Sequence, residues 1–419
     1  MYKFVLLSES EYESFQRQHA YANFLNSLEA AKLREYEGWE VEYVGVKEND
    51  EVVAATILSS IKVMKVYRYY NAQRGLLLDY KNSELLNFFT KELKTYLSKK
   101  KALYMMCNPH IIYETRDGEG ELINDDEDKS YIIENMRKAG FIHSGFQENY
   151  SAQSEVQWEY SLYLNGMNEK ELLDYISTKT RYNINKSLKQ KVKIKLLEKE
   201  DMDLFFNIFK NTADRKGFGG LLRDDNHYIN MLDFYKGHIR IYYAYLDPIE
   251  TKESAIKDKK DIEAKLIEVE KNIQEREKND RFINQKKELE IELAAKDKII
   301  GEMDELRSKY GDEIGLSTAM FIDYPYEISY MYSGSVDDPK LNKFCGPYAI
   351  QWETLKYAIE HNIDHYNFYG ITGKFDDKSD GVFTYKKGFN GVAEKMVGEF
   401  VLPVKPLAYK LYKTLKGGR

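Results

Sequence analysis

Only two cysteines, Cys107 and Cys345, occur in 419 residues. That scarcity argues against a disulfide framework and fits a reducing compartment. No uninterrupted apolar run approaches the roughly 20 residues a membrane span requires, and mean hydropathy is −0.61. Residues 1–9 read as a strand and a polar turn, without the cationic start and apolar stretch of a signal peptide. A cytoplasmic protein is therefore expected. The seven histidines are scattered and no Cys-x-x-Cys occurs, so no metal centre is expected. Gly217-Phe218-Gly219-Gly220 does not follow a strand, and Gly373-Lys374 lacks the Walker spacing, which speaks against ATP and NAD as cofactors. Net charge is −7, which argues against a protein that coats nucleic acid non-specifically but not against one with a local basic groove.

What the chain does have is aromatic side chains, 35 Tyr and 20 Phe. Tyrosine combines an apolar body with a polar tip, suited to a large polar ligand with flat groups. A codon bias of the genome explains the excess equally well. Length suits two or three domains rather than one.

The sharpest compositional change spans Thr251 to Tyr310, where 60 residues hold no proline, one glycine and 31 charged side chains. Ile262, Leu266, Val269 and Ile273 step by four, three and four, the a/d spacing of a coiled-coil seam. Leu289, Leu293, Ile300 and Met303 continue it on a second run, with Lys278-Asn279-Asp280 as a polar breaker between. Two helices of about 25 residues predict an antiparallel arm projecting roughly 35–40 Å. Both flanks, Ile239 to Leu246 and Leu316 to Ile322, read as buried strands, so the arm interrupts a hairpin and is an insertion.

The rest is faintly duplicated. The first half predicts strands over Trp39–Lys47 and Glu51–Val63, a helix over Ser83–Lys99, the strand Ala102–Cys107 and a helix over Asp128–Ala139. The second half predicts the two arm-flanking strands, a helix over Tyr348–His361, the strand His365–Tyr369 and a further strand over Tyr385–Asn390. Strand–strand–helix–strand, twice, is an α/β pattern. Between Tyr175 and Leu197 stand seven basic residues and no acidic one: Lys179, Arg181, Lys186, Lys189, Lys191, Lys193 and Lys195. In an acidic protein this is a candidate phosphate surface, for a tRNA acceptor end or an anionic membrane, or else a solvated helix face. The arm, with 15 basic and 16 acidic side chains, offers no such excess. Pro406 to Lys416, with Leu407, Leu411 and Leu415 at i, i+4 and i+8, predicts an amphipathic helix docked on the body.

Five strings, in order, carry a resemblance. Asn71-Ala72-Gln73-Arg74-Gly75 with Leu78-Asp79-Tyr80 is similar to "NRGP-x-x-DY", with Leu76 in place of Pro. Tyr332-Ser333-Gly334-Ser335 is similar to "Y-x-G-G/S", and Gly346-Pro347-Tyr348 with Trp352 to "GPY-x-x-x-W". Tyr366-Asn367-Phe368-Tyr369-Gly370 is similar to "YNFYG", and Tyr385-Lys386-Lys387-Gly388-Phe389-Asn390 to "FK+GFN". With the arm between them, they resemble the peptidoglycan bridge-forming aminoacyltransferases of the FemABX family over essentially the whole chain.

That resemblance implies an α/β fold of two GNAT-like (acyl-CoA N-acyltransferase-type) subdomains in tandem with the inserted helical arm. The first would span 1–150 and the second 151–248 and 313–400, with the arm at 249–312 and a C-terminal helix in 401–419. It implies transfer of glycine, serine or alanine from aminoacyl-tRNA, the co-substrate, to the stem-peptide lysine or growing bridge of lipid II or UDP-MurNAc-peptide. No further cofactor is implied. Peripheral contact with the inner membrane face and association with other family members are implied as well. Such an ester donor needs orientation and oxyanion stabilisation rather than a covalent nucleophile. Lys386 takes the oxyanion role, as a cation at its ordinary pKa. Arg223 is placed to read pyrophosphate, against a rival salt bridge to Asp224 or Asp225, and Arg34 (or Lys32) to contact phosphate. Tyr332, Tyr366 and Tyr369 are further substrate contacts, with Phe368 in the sheet core. Asn108 stands where relatives carry an aspartate considered as a base; an amide cannot take that proton, so positioning is its expected duty. A catalytically weak, immunity-type binding factor is the alternative. An acetyl-CoA-dependent acetyltransferase is disfavoured, because no R/Q-x-x-G-x-G/A loop is present.

Overall fold

The computed structural model describes residues 1–123, 128–147, 155–217, 219, 222–275 and 280–415. The expected arm turn at Lys278-Asn279, the boundary at 150/151, Phe218, Gly220 and Lys416 lie outside them. The first half runs β1 (Tyr2–Leu6), α1 (Glu9–Gln18), α2 (Leu28–Tyr36), β2 (Glu40–Glu48), β3 (Glu51–Val63) and β4 (Tyr67–Ala72). Then come α3 (Ser83–Lys99), β5 (Ala102–Cys107), β6 (Ile112–Arg116), β7 (Leu122–Ile123), α4 (Ser130–Lys138) and β8 (Ile142–His143). The second half opens with β9 (Trp158–Tyr163), α5 (Glu169–Tyr175), α6 (Thr178–Lys189), β10 (Lys193–Leu196), α7 (Met202–Arg215), α8 (Asp225–Phe234) and β11 (Ile239–Leu246). The arm is α9 (Pro248–Glu275) and α10 (Asp280–Tyr310). It is followed by β12 (Ile314–Tyr324), β13 (Glu327–Ser335), α11 (Pro339–Asn342), α12 (Gly346–Glu360) and β14 (His365–Ile371). The chain closes with α13 (Gly381–Lys387), β15 (Val392–Met396), β16 (Phe400–Pro403) and α14 (Pro406–Leu415).

Two sheets result, ordered β1-β2-β3-β4-β5-β16-β8 and β10-β11-β12-β13-β14-β9-β15-β6-β7. Each begins with three antiparallel pairings and then a parallel one, β4 with β5 and β13 with β14. A helix, α3 or α12, makes each parallel crossover, as a parallel pair requires. The duplication is therefore real at the level of strand order. The halves also exchange strands. β6 and β7 join the second sheet through β15, while β16 slots between β5 and β8 in the first. Val397, Phe400, Leu402 and Val404 consequently fill the first core beside Leu58, Phe89 and Met105. Each such side chain contributes about 1.5–3 kcal/mol on burial, so the first half has no complete core without these residues from the chain's end.

Local sequence explains the framework. α3 starts where the Asn82 side chain accepts from the Leu85 N–H, and turns Leu85, Leu86, Phe89, Leu93 and Leu97 inward. β11 and β12 pair directly across the base of the arm, so the arm is an insertion in a hairpin. Its seam buries Ile262, Val269 and Leu289, with Leu266, Ile273 and Leu293 against them. Lys259–Asp297 at 2.6 Å and Lys286–Glu270 at 2.7 Å cross the seam. Met303 and Leu306 anchor the root in the second core.

One expectation is corrected, and one holds through an unexpected face. Residues 385–390 are not a strand: Asp380 caps α13 by accepting the Phe383 N–H, and the helix ends at Gly388. The second concerns α14. It does dock, but through Tyr409 and Tyr412, whose rings lie 4.9 and 5.8 Å from Tyr104; its leucines face solvent.

Candidate functional site

β13 and β14 pair only at Ile328–Tyr366 and Ser329–Asn367, then separate. Beyond the last paired residues, Tyr330–Ser335 and Phe368–Ile371 diverge and leave their backbones unpaired with one another. Lys386, in the last turn of α13, reaches this gap. Its side chain is buried, 6% exposed, and Nζ donates to the Gly370 carbonyl at 2.6 Å and the Tyr369 carbonyl at 3.3 Å. Burial pushes the Lys386 ammonium down to about 7, against the pull of Asp380 and Glu159. The sequence predicts a cation at its ordinary pKa, whereas burial holds this ammonium well below the ordinary lysine range. Lys387 turns outward to Glu119 at 2.6 Å. Gly388 is required where it stands, because a Cβ there would overlap Thr180 Oγ1 at the start of α6.

Behind the gap lies a buried polar network that the sequence reading missed. Glu159 of β9 sits opposite Gly370 in the sheet. It holds Arg74 at 2.5 Å, each side chain 1% exposed, and accepts from Asn367 at 2.6 Å. Burial drives the Glu159 carboxyl up, but Arg74 and the hydrogen bonds drive it further down, below the usual carboxylate range. The Arg74 N–H donates to Asn108 Oδ1 at 2.8 Å, so Asn108 is a backbone anchor. Arg74 and Asn108 line a small cavity with Glu155, Gln157, Met396 and Glu399. Glu155 accepts from Gln73 and from the Tyr369 hydroxyl, the latter at 3.0 Å. Burial raises the Glu399 carboxyl above its ordinary value.

Arg34 and Arg223 form a cationic rim. Arg34 donates to the Leu25 carbonyl at 3.1 Å and to Ser59 Oγ at 3.5 Å, and lies within electrostatic reach of Glu155 and Glu37. Lys32, its alternative, turns away to Glu9 at 3.4 Å. Arg223 is exposed, just before α8. Its rival partners are otherwise engaged: Asp225 binds Lys210 at 2.6 Å, and Asp224 caps α8. Among the described residues no ion pair holds Arg223. The Arg223 N–H donates to Tyr228 Oη at 3.2 Å, and Tyr228 packs edge-on against Tyr332, centroids 5.0 Å apart. Burial raises the Tyr332 hydroxyl while Arg223 opposes it, and Glu155 and Glu37 also act on it, so Tyr332 links rim to gap. Tyr369 lies on the same side, near Phe24 at 6.3 Å.

Tyr366 does not belong. It is fully buried in the second core and donates to Gln351 at 2.5 Å, on the same strand face as Phe368. The expectation that it contacts substrate is corrected by simple strand alternation. The basic run also divides. Arg181, Lys193 and Lys195 pair with Asp174, Asp247 and Asp201, respectively. Lys179, Lys186 and Lys189 make no ion pair among the described residues, and with exposed Tyr182 they follow one face of α6 opposite buried Thr180, Ile184 and Ser187. The Ser177 N–H, which precedes α6, donates to the Gly388 carbonyl at 3.1 Å, so this stripe starts two residues from Lys386.

His361 and His365 stand four apart, but α12 ends between them and they serve different partners. Among the described residues no three His, Cys, Asp or Glu side chains converge as a metal would need. Of the missed residues, Arg74 lay inside a quoted string. Glu159 was legible as the single charge in Trp158–Tyr163, an otherwise buried strand.

The arrangement has known counterparts. The FemAB family model matches residues 7–417. Aminoacyltransferase FemA of Staphylococcus epidermidis is 32% identical over 417 residues, covering 99% of each chain. Aminoacyltransferase FemA of Staphylococcus aureus is 31% identical over 417 residues, covering 99% of this chain and 98% of that one. The crystal structure of FemX superposes with a TM-score of 0.83 at 22% identity, over 98% of this chain and 99% of that one. That likeness bears on fold alone and agrees with the tandem GNAT-like α/β architecture. Sequence and strand order converge on one assignment: this chain belongs to the FemAB family.

Proposed function

We propose that this FemAB aminoacyltransferase moves glycine, serine or alanine from aminoacyl-tRNA to an amine on a peptidoglycan precursor, lipid II or UDP-MurNAc-peptide, and so builds the interpeptide bridge. The observation that carries the reading is the position of Lys386. It reaches the backbone of an unzipped strand pair, and two residues on, the Gly388 carbonyl accepts from Ser177 at the start of the helix that carries Lys179, Lys186 and Lys189. The rim suits a pyrophosphate, because guanidinium donates in a fork matched to phosphate oxygens. The stripe, interleaved with Tyr182, suits the phosphates and bases of a tRNA acceptor end.

In this reading the acceptor amine attacks the ester carbonyl carbon, and protonated Lys386 stabilises the oxyanion. The C–O bond to the tRNA ribose then breaks and an amide remains. The attacking neutral amine becomes a positively charged nitrogen, which gives a proton to Glu155, the cavity carboxylate hydrogen-bonded to Tyr369. Glu155 passes that proton to the departing ribose oxygen, leaving a ribose hydroxyl. Asn108, which holds the Arg74 backbone, has no proton to take, so its lack of charge does not speak for an inactive paralogue. The donor ester is already activated, and Tyr332 and Tyr369 serve to orient the acceptor.

Purified protein, charged tRNA pools and lipid II test the reading, with soluble UDP-MurNAc-peptide as a parallel acceptor. Transfer is expected from at least one charged tRNA, with losses in both Lys386→Met and Arg223→Ala. No transfer from any charged tRNA to either acceptor would sink it. Unimpaired transfer by Lys386→Met would remove the site assignment and leave the family intact.

A further inference from the structure

α14 is amphipathic with its faces used in an unexpected way. Tyr409 and Tyr412 lie against Tyr104, which lies against Tyr69 at 5.0 Å, so an aromatic ladder fastens the helix to the first sheet. The opposite face carries Leu407, Leu411 and Leu415, 88%, 57% and 71% exposed. A helix that chooses between two apolar faces would ordinarily bury the leucines, which gain most from leaving water. Leaving all three exposed on one ridge, about 12 Å long at 1.5 Å per residue, marks a contact surface.

Charge says what kind. From Phe400 to Arg419 the sequence holds five basic residues, Lys405, Lys410, Lys413, Lys416 and Arg419, and no acidic one, in a chain of net charge −7. Leucines flanked by lysines, on a helix too short to span a bilayer, form the pattern that lies in an anionic lipid interface. A protein partner for this ridge would need its own acidic border; an anionic bilayer supplies apolar depth and negative charge together. The position is also informative. Tyr69, in the aromatic ladder that holds α14, is within electrostatic reach of both Arg34 and Tyr412, so α14 is fastened on the Arg34 side of the first sheet.

We propose that the Leu407–Leu411–Leu415 ridge of α14, with Lys410 and Lys413, seats this enzyme on an anionic membrane surface beside the Arg34 rim. The proposal deepens the reading of a lipid-linked acceptor and rests on it. A pyrophosphate held at the rim would have its lipid tail directed toward the bilayer on which α14 lies. The contact is reversible: three leucines and a few lysines are a weak anchor, suited to an enzyme that must find successive acceptors.

The test is co-sedimentation of the full chain with vesicles of phosphatidylglycerol and phosphatidylcholine, and with phosphatidylcholine alone, no acceptor lipid being present. Binding is expected to the anionic vesicles and not to the neutral ones. The triple change Leu407→Ser, Leu411→Ser and Leu415→Ser should weaken partition at least about tenfold with an unchanged Tm, since all three side chains are exposed. Lys410→Glu with Lys413→Glu should weaken it about fivefold per lysine and reduce its salt sensitivity. Failure of the wild-type chain to bind anionic vesicles overturns the proposal, as does equal binding by the triple variant. A concentration-dependent dimer in sedimentation velocity that the triple variant abolishes, without vesicle binding, overturns it in favour of a second copy of the chain. Vesicle binding failing while transfer to UDP-MurNAc-peptide proceeds removes the membrane seat alone. Binding without transfer from any charged tRNA removes the function and leaves the seat.

Discussion

In the first sheet β4 and β5 stay paired from Arg68–Ala102 to Ala72–Cys107; in the second, β13 and β14 share two residue pairs and part. One strand order thus ends in two different junctions. The closed one leads into Arg74, whose guanidinium is tied to Glu159, and Asn108, which accepts the Arg74 N–H. The open one leaves the Tyr369 and Gly370 carbonyls to a buried lysine. Duplication supplied two equivalent positions: one is closed by strand pairing and a buried ion pair, and the other is left open around a buried lysine, where the proposed function puts the chemistry. The exchange of strands fits this division, because β16 pairs with β5 beside the closed junction, while β6 and β7 extend the second sheet beyond β15.

The largest effect should come from the closed junction. Arg74→Met leaves Glu159 buried without its cation and should cost about 3–5 kcal/mol in urea unfolding. The double change with Glu159→Gln should recover much of that, since no uncompensated charge remains. The pair has a pH signature. The Glu159 carboxyl is depressed in the folded chain, so its contribution is present above the ordinary carboxylate range and is lost as pH falls below it. If Arg74→Met left stability intact while abolishing transfer, both junctions would be catalytic and the contrast would fail.

At the open junction the expected signs reverse. Lys386→Met should lower kcat about 10²–10³-fold, the range for losing one oxyanion contact. It should also stabilise the protein near pH 7, by about 3 kcal/mol, because a buried ammonium is removed. Lysine titrates near 10.5 in the unfolded chain and at about 7 here. Between those values the unfolded chain holds the additional proton, so wild-type stability rises with pH across that window and the advantage of Lys386→Met shrinks. Transfer that depends on the Lys386 cation should fall as pH rises through 7, even as the acceptor amine becomes more available, giving a bell-shaped profile. A lysine needed only for packing would show the stability change without the bell.

Much of this was legible before any coordinates. The strand Ile239–Leu246, the helix Ser83–Lys99 and the arm were read to within a residue or two, because apolar periodicity is local and long in each. α13 was not, since seven residues carry no period and the helix depends on a cap at Asp380 and a close approach at Gly388. Tyr366 was misplaced although Phe368, two residues on, was rightly put in the core; alternation alone would have corrected it. Periodicity found the leucine stripe of α14 but cannot tell which face docks, which depends on Tyr104, some 300 residues away in sequence. Arg74 and Glu159 are 85 residues apart, and nothing local in either announces the other.

The smallest effect expected is also the one that bears most directly on the closed junction. Asn108 accepts the Arg74 N–H through Oδ1, a duty that a carboxylate performs equally well. Asn108→Asp should therefore change stability by no more than about 0.5 kcal/mol, with Arg74 near enough to offset the added charge, and should change transfer little, about threefold at most. Asn108→Leu removes the acceptor and leaves the Arg74 N–H unpaired, at about 1–3 kcal/mol. A large gain of activity in Asn108→Asp would mean that the cavity lacks a proton acceptor and that Glu155 does not supply one. A comparable loss in Glu155→Gln, with Asn108→Asp silent, would place the acceptor on the Tyr369 side of the cavity and leave the first junction purely structural.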